Sequence, residues 1–339
     1  MERFDDQQVL STSQVAELLS VHPSTVKRWC EAGTIEAEKT AGGHRRFRLH
    51  DVLAGARERG VSTILDAFGP YEAHVWSALE AIRAERSFGR VHALAMGWIS
   101  RGHHERVGRL FEMLGHHPDV PLPLLLDEGV GGFMARVGQS WRDGRLRVGE
   151  EHLASQTLLE SLLRLRTSFL REGSEPRSGS GPSEKLAVVG STDGDLHHLG
   201  ALCVRLVLER EGWETLYLGP SVPVEDFASV QRARQASLVC ISISPTDGGS
   251  DPIRSLRTLE GLYDPTRPYA LALGGRGVRN GNGSLARLEA TFRGVALFDS
   301  CEAFVDSLRS GFGRSPRPAG DRDARSAARR PLATVGEDA

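Results

Sequence analysis

The stretch Lys185-Leu-Ala-Val-Val-Gly-Ser191, then Asp195-Leu196-His197-His198-Leu199-Gly200, decides the reading of this chain. The short apolar run Lys185–Ser191 predicts a strand, and Leu196–Glu211 predicts a helix with one apolar stripe. The loop between them places a His at a strand's C-terminal end, with a Gly three residues on. That arrangement suits ligation of a large flat cofactor. The imidazole offers a neutral nitrogen, Asp195 is placed to orient it, and Gly200 lets backbone approach closely.

Outward from this loop, βα units alternate. Further strands are predicted at Thr215–Gly219, Leu238–Ser244, Tyr269–Gly275 and Val295–Asp299. Further helices are predicted at Val224–Gln235, Pro252–Leu262, Leu285–Ala290 and Glu302–Gly311. Short apolar strands alternating with helices imply a parallel, doubly wound α/β sheet of flavodoxin-like (Rossmann-type) order. Such folds bind ligands at the C-terminal strand edge, where Asp195–Gly200, Ser242-Ile-Ser244 and Gly274-Gly275 would meet.

Residues 185–312 resemble the cobalamin-binding domain shared with methionine synthase and the B12-dependent mutases. The motif there is Asp-x-His-x-x-Gly, then Ser-x-Leu or similar, then Gly-Gly. Asp195, His197 and Gly200 match in full, as do Gly274 and Gly275. Ser242 and Ser244 match loosely, because Ser244 stands where Leu or Thr is usual. The resemblance implies that His197 displaces the cofactor's dimethylbenzimidazole and binds cobalt from below. The displaced nucleotide tail would lie in a slot with room made by the glycines and hydroxyls offered by the serines. His198 reads as a loop histidine without a role.

A chain of 339 residues accommodates two or three domains, and 40% hydrophobic with 25% charged residues is ordinarily globular. No apolar run is long enough to span a membrane, and the acidic start Met1–Asp6 does not read as a signal peptide. The cysteines, Cys30, Cys203, Cys240 and Cys301, are scattered singly. That predicts a reducing cytoplasm, with neither a disulfide framework nor a zinc site. Net charge is −2, so nucleic-acid binding needs a local patch.

Residues 1–60 supply one. Ser11 and Gln14 fit a capping box at the start of a short helix whose apolar face is Val15, Leu18 and Leu19. A second helix begins at Pro23 and stops at Gly33, giving a helix-turn-helix. Val26 and Trp29 point to the core; Ser24, Thr25, Lys27 and Arg28 are left for a DNA groove and its phosphates. Gly42-Gly43 then permits a hairpin turn that presents His44, Arg45, Arg46 and Arg48 as a wing. A third helix near His50–Arg59 closes the domain. Between residues 27 and 48 there are six Lys or Arg against Glu31, Glu36 and Glu38, so the basic patch is moderate. These helices and the Gly-Gly-His-Arg-Arg-Phe wing resemble the MerR family of winged helix-turn-helix regulators. One such module makes a weak, salt-sensitive complex with double-stranded operator DNA, so oligomerisation is expected.

Residues 61–172 have helical periodicity throughout. Helices are predicted at Val61–Phe68, Tyr71–Glu85, Phe88–Gly102, His104–Gly115, Pro123–Asp143 and Arg147–Arg171, and a four-helix bundle with extra short helices accommodates them. Trp141, then Glu151-His152 after nine intervening residues, together with the His197 loop, resemble the cobalamin-dependent photoreceptor repressors of the CarH/LitR type. In that family the bundle caps the upper face of cobalamin. Carried over, Trp141 covers the adenosyl group and Glu151 and His152 line the same pocket. The sequence departs from the family at Arg142, where the light-responsive members carry a cobalt-binding His. Arginine is a poor metal ligand. Among the other bundle histidines, His103-His104 and His116-His117 read as helix-end surface pairs.

Residues 173–184 read as a flexible Gly/Ser/Pro linker and 313–339 as a disordered tail. The resemblance implies a cytoplasmic, light- and adenosylcobalamin-responsive repressor that is not an enzyme and forms a homotetramer on operator DNA. Methylcobalamin is the alternative cofactor form. Two other functions stay open: a cobalamin-binding DNA regulator without cobalt photochemistry, sensing the vitamin or using a second bilin-type chromophore, and a corrinoid methyltransferase or mutase component.

Overall fold

In a computed structural model of the protein, residues 8–172, 185–244, 252–275, 277 and 292–314 are described. The expected linker 173–184, the expected helix Leu285–Ala290 and the tail from residue 315 lie outside the described residues. The chain forms two compact units that part between Glu172 and Lys185.

The N-terminal unit opens with β1 (Val9–Ser11), α1 (Thr12–Leu18) and α2 (Pro23–Glu31). The capping box is present: Gln14 N donates to Ser11 Oγ (3.3 Å) and Ser11 N to Gln14 Oε1 (2.8 Å). A tight turn through Ser20, at φ 51°, separates the two helices. The wing is the hairpin β2 (Glu38–Lys39) and β3 (Arg45–Arg48), whose turn requires a left-handed Gly43 at φ 78°. The strand β1, not anticipated, pairs antiparallel with β3 and sets Leu10 opposite Phe47, both 1% exposed. Three residues are too few to show alternation in a sequence. α3 (Leu49–Glu58) completes this winged helix-turn-helix segment.

The helix expected at Val61–Phe68 does not form. Asp66 instead accepts from Thr63 N (3.0 Å) and Thr63 Oγ1 (2.6 Å), which stabilises a turn in place of a helix. A 3₁₀ segment follows at Asp66–Tyr71, interrupted by Gly69 at φ 54° before Pro70. Then come α4 (Glu72–Glu85), α5 (Gly89–Ile99), α6 (His104–His116), α7 (Leu122–Leu124), α8 (Gly132–Arg142) and α9 (Val148–Glu172). Trp76, Trp98, Phe111 and Phe133 fill their core. α9 packs on α6 and buries Leu158, Leu162 and Leu165; Leu153 and Leu163, which share its apolar repeat, stay exposed.

The single helix expected at Pro123–Asp143 is broken by a π-helical turn, Leu125–Gly131. The cause is His92, which is 6% exposed. Its Nε2 lies 3.0 Å from Glu128 O and 3.1 Å from Gly129 O, while Arg136 Nε donates to Nδ1 (3.1 Å). The ring therefore carries its proton on Nε2 and ties down carbonyls of the wider turn. Gly132 makes room, since a Cβ there would lie 2.8 Å from His92 Cε1. Burial pushes His92 below the usual histidine range, and the Arg136 charge adds to this. A depressed histidine stabilises the fold above its unfolded value, about pH 6.5, and that stability is lost as pH falls through the folded value. Urea stability is therefore expected to decline below about pH 6.5, and the decline should be shallower in His92→Gln. Equal slopes from pH 8 to pH 5 would contradict this role.

The C-terminal unit alternates β4 (Leu186–Thr192), α10 (Leu199–Arg210), β5 (Glu214–Val222), α11 (Val224–Arg234), β6 (Leu238–Ser242), α12 (Pro252–Gly261), β7 (Ala270–Gly274), β8 (Gly294–Phe298) and α13 (Cys301–Arg309). All neighbouring strands are parallel, in the order β5-β4-β6-β7-β8, which is the expected flavodoxin-like topology. Every residue of β4 is buried, as its unbroken apolar run requires. At one end of the order, β5 loses regular register with β4 around Gly219, which stands at φ 89°, just before Pro220. α10 begins three residues later than expected, because bonds described below hold residues 195–198 as a loop. None of the four cysteines is in a disulfide, and no described helix is long and apolar enough to cross a membrane.

Candidate functional site

The loop after β4 lies where the strand order reverses, with β5 on one side and β6 on the other. Asp195 is its anchor, 3% exposed. Its Oδ1 accepts from His197 N (3.0 Å) and from His197 Nδ1 (3.0 Å), and its Oδ2 accepts from Ser244 N (2.8 Å). Burial pushes the Asp195 carboxyl up, but these three hydrogen bonds outweigh it and hold the group below the usual aspartate range. It is therefore ionised at neutral pH. Because Nδ1 donates to it, the neutral imidazole carries its lone pair on Nε2, the atom a metal would take. The His197 side chain is 70% exposed, so this nitrogen is offered at the surface.

Two residues missed in the sequence hold this loop. Ser191 Oγ donates to His197 O (3.1 Å), and Ser221 N donates to Asp195 O (2.9 Å). Ser221 Oγ also accepts from Gly194 N (3.1 Å). The only signal for either was its position at the C-terminal end of a strand.

The structure brings the serine and glycine elements to the same edge. Ser242 ends β6, and a Cβ on Gly200 would lie 2.5 Å from its Oγ. Gly274 ends β7, and Gly275, at φ 102°, packs so tightly that a Cβ would lie 2.3 Å from Ile243 O. Ser244 contributes its backbone N–H to Asp195 rather than a strand position, since β6 stops at Ser242. An exposed, carboxylate-oriented imidazole at the C-terminal strand edge fits a large planar cobalt cofactor, to which it would supply a nitrogen ligand.

In the helical segment, Trp141 lies in the last turn of α8 and is 46% exposed, so it is not a core aromatic. Glu151, near the start of α9, accepts from Ser155 Oγ (2.8 Å) and is bonded to His152 Nδ1; His152 is exposed. Arg142 donates to Gln139 Oε1 (2.9 Å). The two histidine pairs are not alike. His116 is exposed, as expected, whereas His117, 7% exposed, is buried and corrects the surface reading. His104 Nδ1 is likewise shielded from solvent.

On the DNA-reading segment, Ser24, Lys27, Arg28, His44, Arg46 and Arg48 are exposed, and Thr25 and Arg45 are partly so. Val26 is fully buried, with Trp29 half-buried. Arg45 pairs with Glu31 (3.1 Å) and Arg48 with Glu38 (2.9 Å). Such surface pairs contribute little and exchange readily for phosphates. Ser24 Oγ is 2.8 Å from His22 Nδ1 in the helix cap.

Comparison with known proteins follows the same division. Residues 9–60 match the helix-turn-helix domain family, and residues 185–289 match the B12 binding domain family. Dimethylamine corrinoid protein 3 of Methanosarcina acetivorans is 27% identical over 147 residues, 42% of this chain and 65% of that protein. The dimethylamine corrinoid protein of Methanosarcina barkeri is 24% identical over 145 residues, again 42% of this chain and 65% of that protein. The chain thus spans just under two thirds of these relatives. Among solved structures, the monomethylamine corrinoid protein of Methanosarcina barkeri is similar at a TM-score of 0.44 and 14% identity, covering 71% of this chain and 99% of that one. The methanol:cobalamin methyltransferase complex of the same organism gives 0.32 and 16%, covering 75% and 91%. The chain joins a helix-turn-helix domain, a helical region and a B12-binding domain with a parallel sheet.

Proposed function

We propose that this DNA- and cobalamin-binding chain is a MerR-type repressor whose assembly on operator DNA is set by adenosylcobalamin and light. One observation carries the reading: a carboxylate-oriented histidine suited to an axial cobalt position shares its chain with a winged helix-turn-helix. His197 would hold the cobalt, with Asp195 fixing its tautomer. Ser242, Ser244, Gly200, Gly274 and Gly275 would receive the cofactor's nucleotide tail. Trp141, with Glu151 and His152, would serve the upper ligand. Bound adenosylcobalamin would supply a light-labile cobalt–carbon bond. A ligand biases assembly only by binding the assembled state better, so loaded protein should be larger than apoprotein in the dark. Size measurement of the chain with adenosylcobalamin in the dark, then after green light, tests this. A homotetramer that falls apart on illumination is expected; an unchanged size sinks the light switch.

Arg142 favours a second reading. Its guanidinium is already bonded to Gln139 and does not ligate metal, so the family's light-state histidine has no counterpart at this position. The chain would then sense the vitamin itself or use a second chromophore, and visible spectra of protein from cobalamin-fed and bilin-fed cells separate the two. The names of the curated relatives keep a methyltransferase component as a third reading. The DNA-reading segment speaks for a regulator that is not itself an enzyme.

A further inference from the structure

The DNA-reading segment is fastened to the helices that follow it by a charged joint centred on Arg83 of α4. Its guanidinium is bonded to Glu17 of α1, to Glu80 (2.6 Å) and to Asp119 (2.9 Å). Arg83 also stacks over Trp76, 5.5 Å from the ring centroid, so it belongs to the α4 side of the joint. Beside it, Gln14 Nε2 of α1 donates to Glu80 Oε2 (3.0 Å). His117 closes the back. Its Nε2 donates to Glu17 (2.6 Å), and its Nδ1 accepts from Asp119 N (3.2 Å), which makes it the neutral Nε2–H tautomer.

Glu17, His117 and Asp119 could by spacing hold a metal ion. Arg83, bonded to both carboxylates, already occupies the place of the cation. The joint is therefore an ion-pair cluster, and a lopsided one: three carboxylates share one guanidinium.

α1 packs against α2, β1 and β3 within the reader, while the side chains of Gln14 and Glu17 bond it to α4. A polar joint of this kind can separate in water without exposing a hydrophobic core, because each charged group is rehydrated as it leaves. An apolar joint cannot. α1 and α2 are held together by the Ser20 turn and by Val21 N donating to Ala16 O (2.8 Å), so displacement of α1 carries α2 with it.

We propose that the Glu17–Arg83–Asp119 joint is the separable coupling by which the helical segment governs the DNA reader: closed, it fixes the reader's orientation, and open, it leaves α3 paired to α4 through Arg57 and Glu72 while α1 and α2 can shift. The proposal rests on the regulator reading above. The test uses the full chain and the variants Glu17→Gln, Arg83→Met and the two combined. Ile64 N donates to Leu18 O (3.1 Å) alongside the joint, so its amide exchange reports closure without DNA or cofactor. Each single variant should exchange at Ile64 about tenfold faster or more, and the double variant no faster than the singles. Unchanged exchange, or two fully additive effects, overturns the joint. Affinity for duplex DNA is then measured with and without adenosylcobalamin. The wild-type ratio should exceed about fivefold, and the variants should bring it close to one while cobalamin still binds with the wild-type spectrum. Variants that keep the wild-type ratio overturn the coupling role. A wild-type chain whose DNA affinity ignores cobalamin overturns the regulator reading and the coupling with it, a result distinct from unchanged exchange.

Discussion

Replacing His197 by alanine is expected to weaken cobalamin binding by about a hundredfold or more, because even partners behind a metal ligand are worth about 10- to 100-fold. The visible spectrum should change as well, since one axial nitrogen is replaced by a weaker donor. The fold should survive. The His197 side chain is 70% exposed, and its Nδ1 bonds to Asp195 Oδ1. Loss of a single hydrogen bond of this kind costs about 1 kcal/mol. Asp195→Asn should cause a smaller loss of affinity, about tenfold, and a larger loss of stability. Asp195 is buried and receives Ser244 N–H as well as two bonds from His197, so an amide there presents a donor where acceptors are needed. Titration of cobalamin into the three proteins, followed by absorbance, checks the order. Binding and spectrum that survive His197→Ala unchanged would refute its assignment as axial donor.

Gly275→Ala should be among the most damaging single methyl additions in the C-terminal unit. The new Cβ would lie 2.3 Å from Ile243 O and 3.0 Å from Ile243 C, both backbone atoms, at a residue whose φ is 102°. Ile243 N is itself bonded to Gly274 O (2.8 Å), so relief requires the ends of β6 and β7 to part. The backbone conformation costs a non-glycine residue about 1–2 kcal/mol, and the forced displacement about 1–3 kcal/mol more. Set against a whole-domain stability of about 5–15 kcal/mol, this is a large fraction. Gly200→Ala meets only the Ser242 hydroxyl, which can rotate, so it should disturb the slot more than the fold. Gly261→Ala, with no neighbour within 4 Å, is the control and should be neutral or mildly stabilising. Urea unfolding midpoints of the three variants decide the matter; a Gly275→Ala midpoint equal to that of Gly261→Ala would show that the contact is not as tight as described.

The C-terminal unit was legible because its signals are local and repeated. Short apolar, β-branched runs such as Leu186–Val189, bounded by small residues, read as buried strands, and their alternation with helices leaves few topologies. The Asp195–Gly200 loop was legible for the same reason: its residues adjoin in sequence. Elements stabilised by distant partners were not. β1 exists because Leu10 meets Phe47, and the π-helical turn exists because His92 sits 36 residues away from the carbonyls it binds. His117 read as surface because a histidine at a helix end usually is. It is buried beside Glu17, a partner 100 residues away that no local pattern announces.

The irregular end of β5 has a consequence for how copies of this protein can meet. A strand at the end of a sheet offers an outer row of peptide groups to any passing chain, and a long, flat one invites runaway stacking into fibrils. Here Pro220 has no N–H to offer, and the kink at Gly219 turns the last residues out of line. A second sheet could zip along Glu214–Leu218 at most. Edge-to-edge pairing on this side is thus confined to those five residues, too short a ladder for stacking along the whole strand.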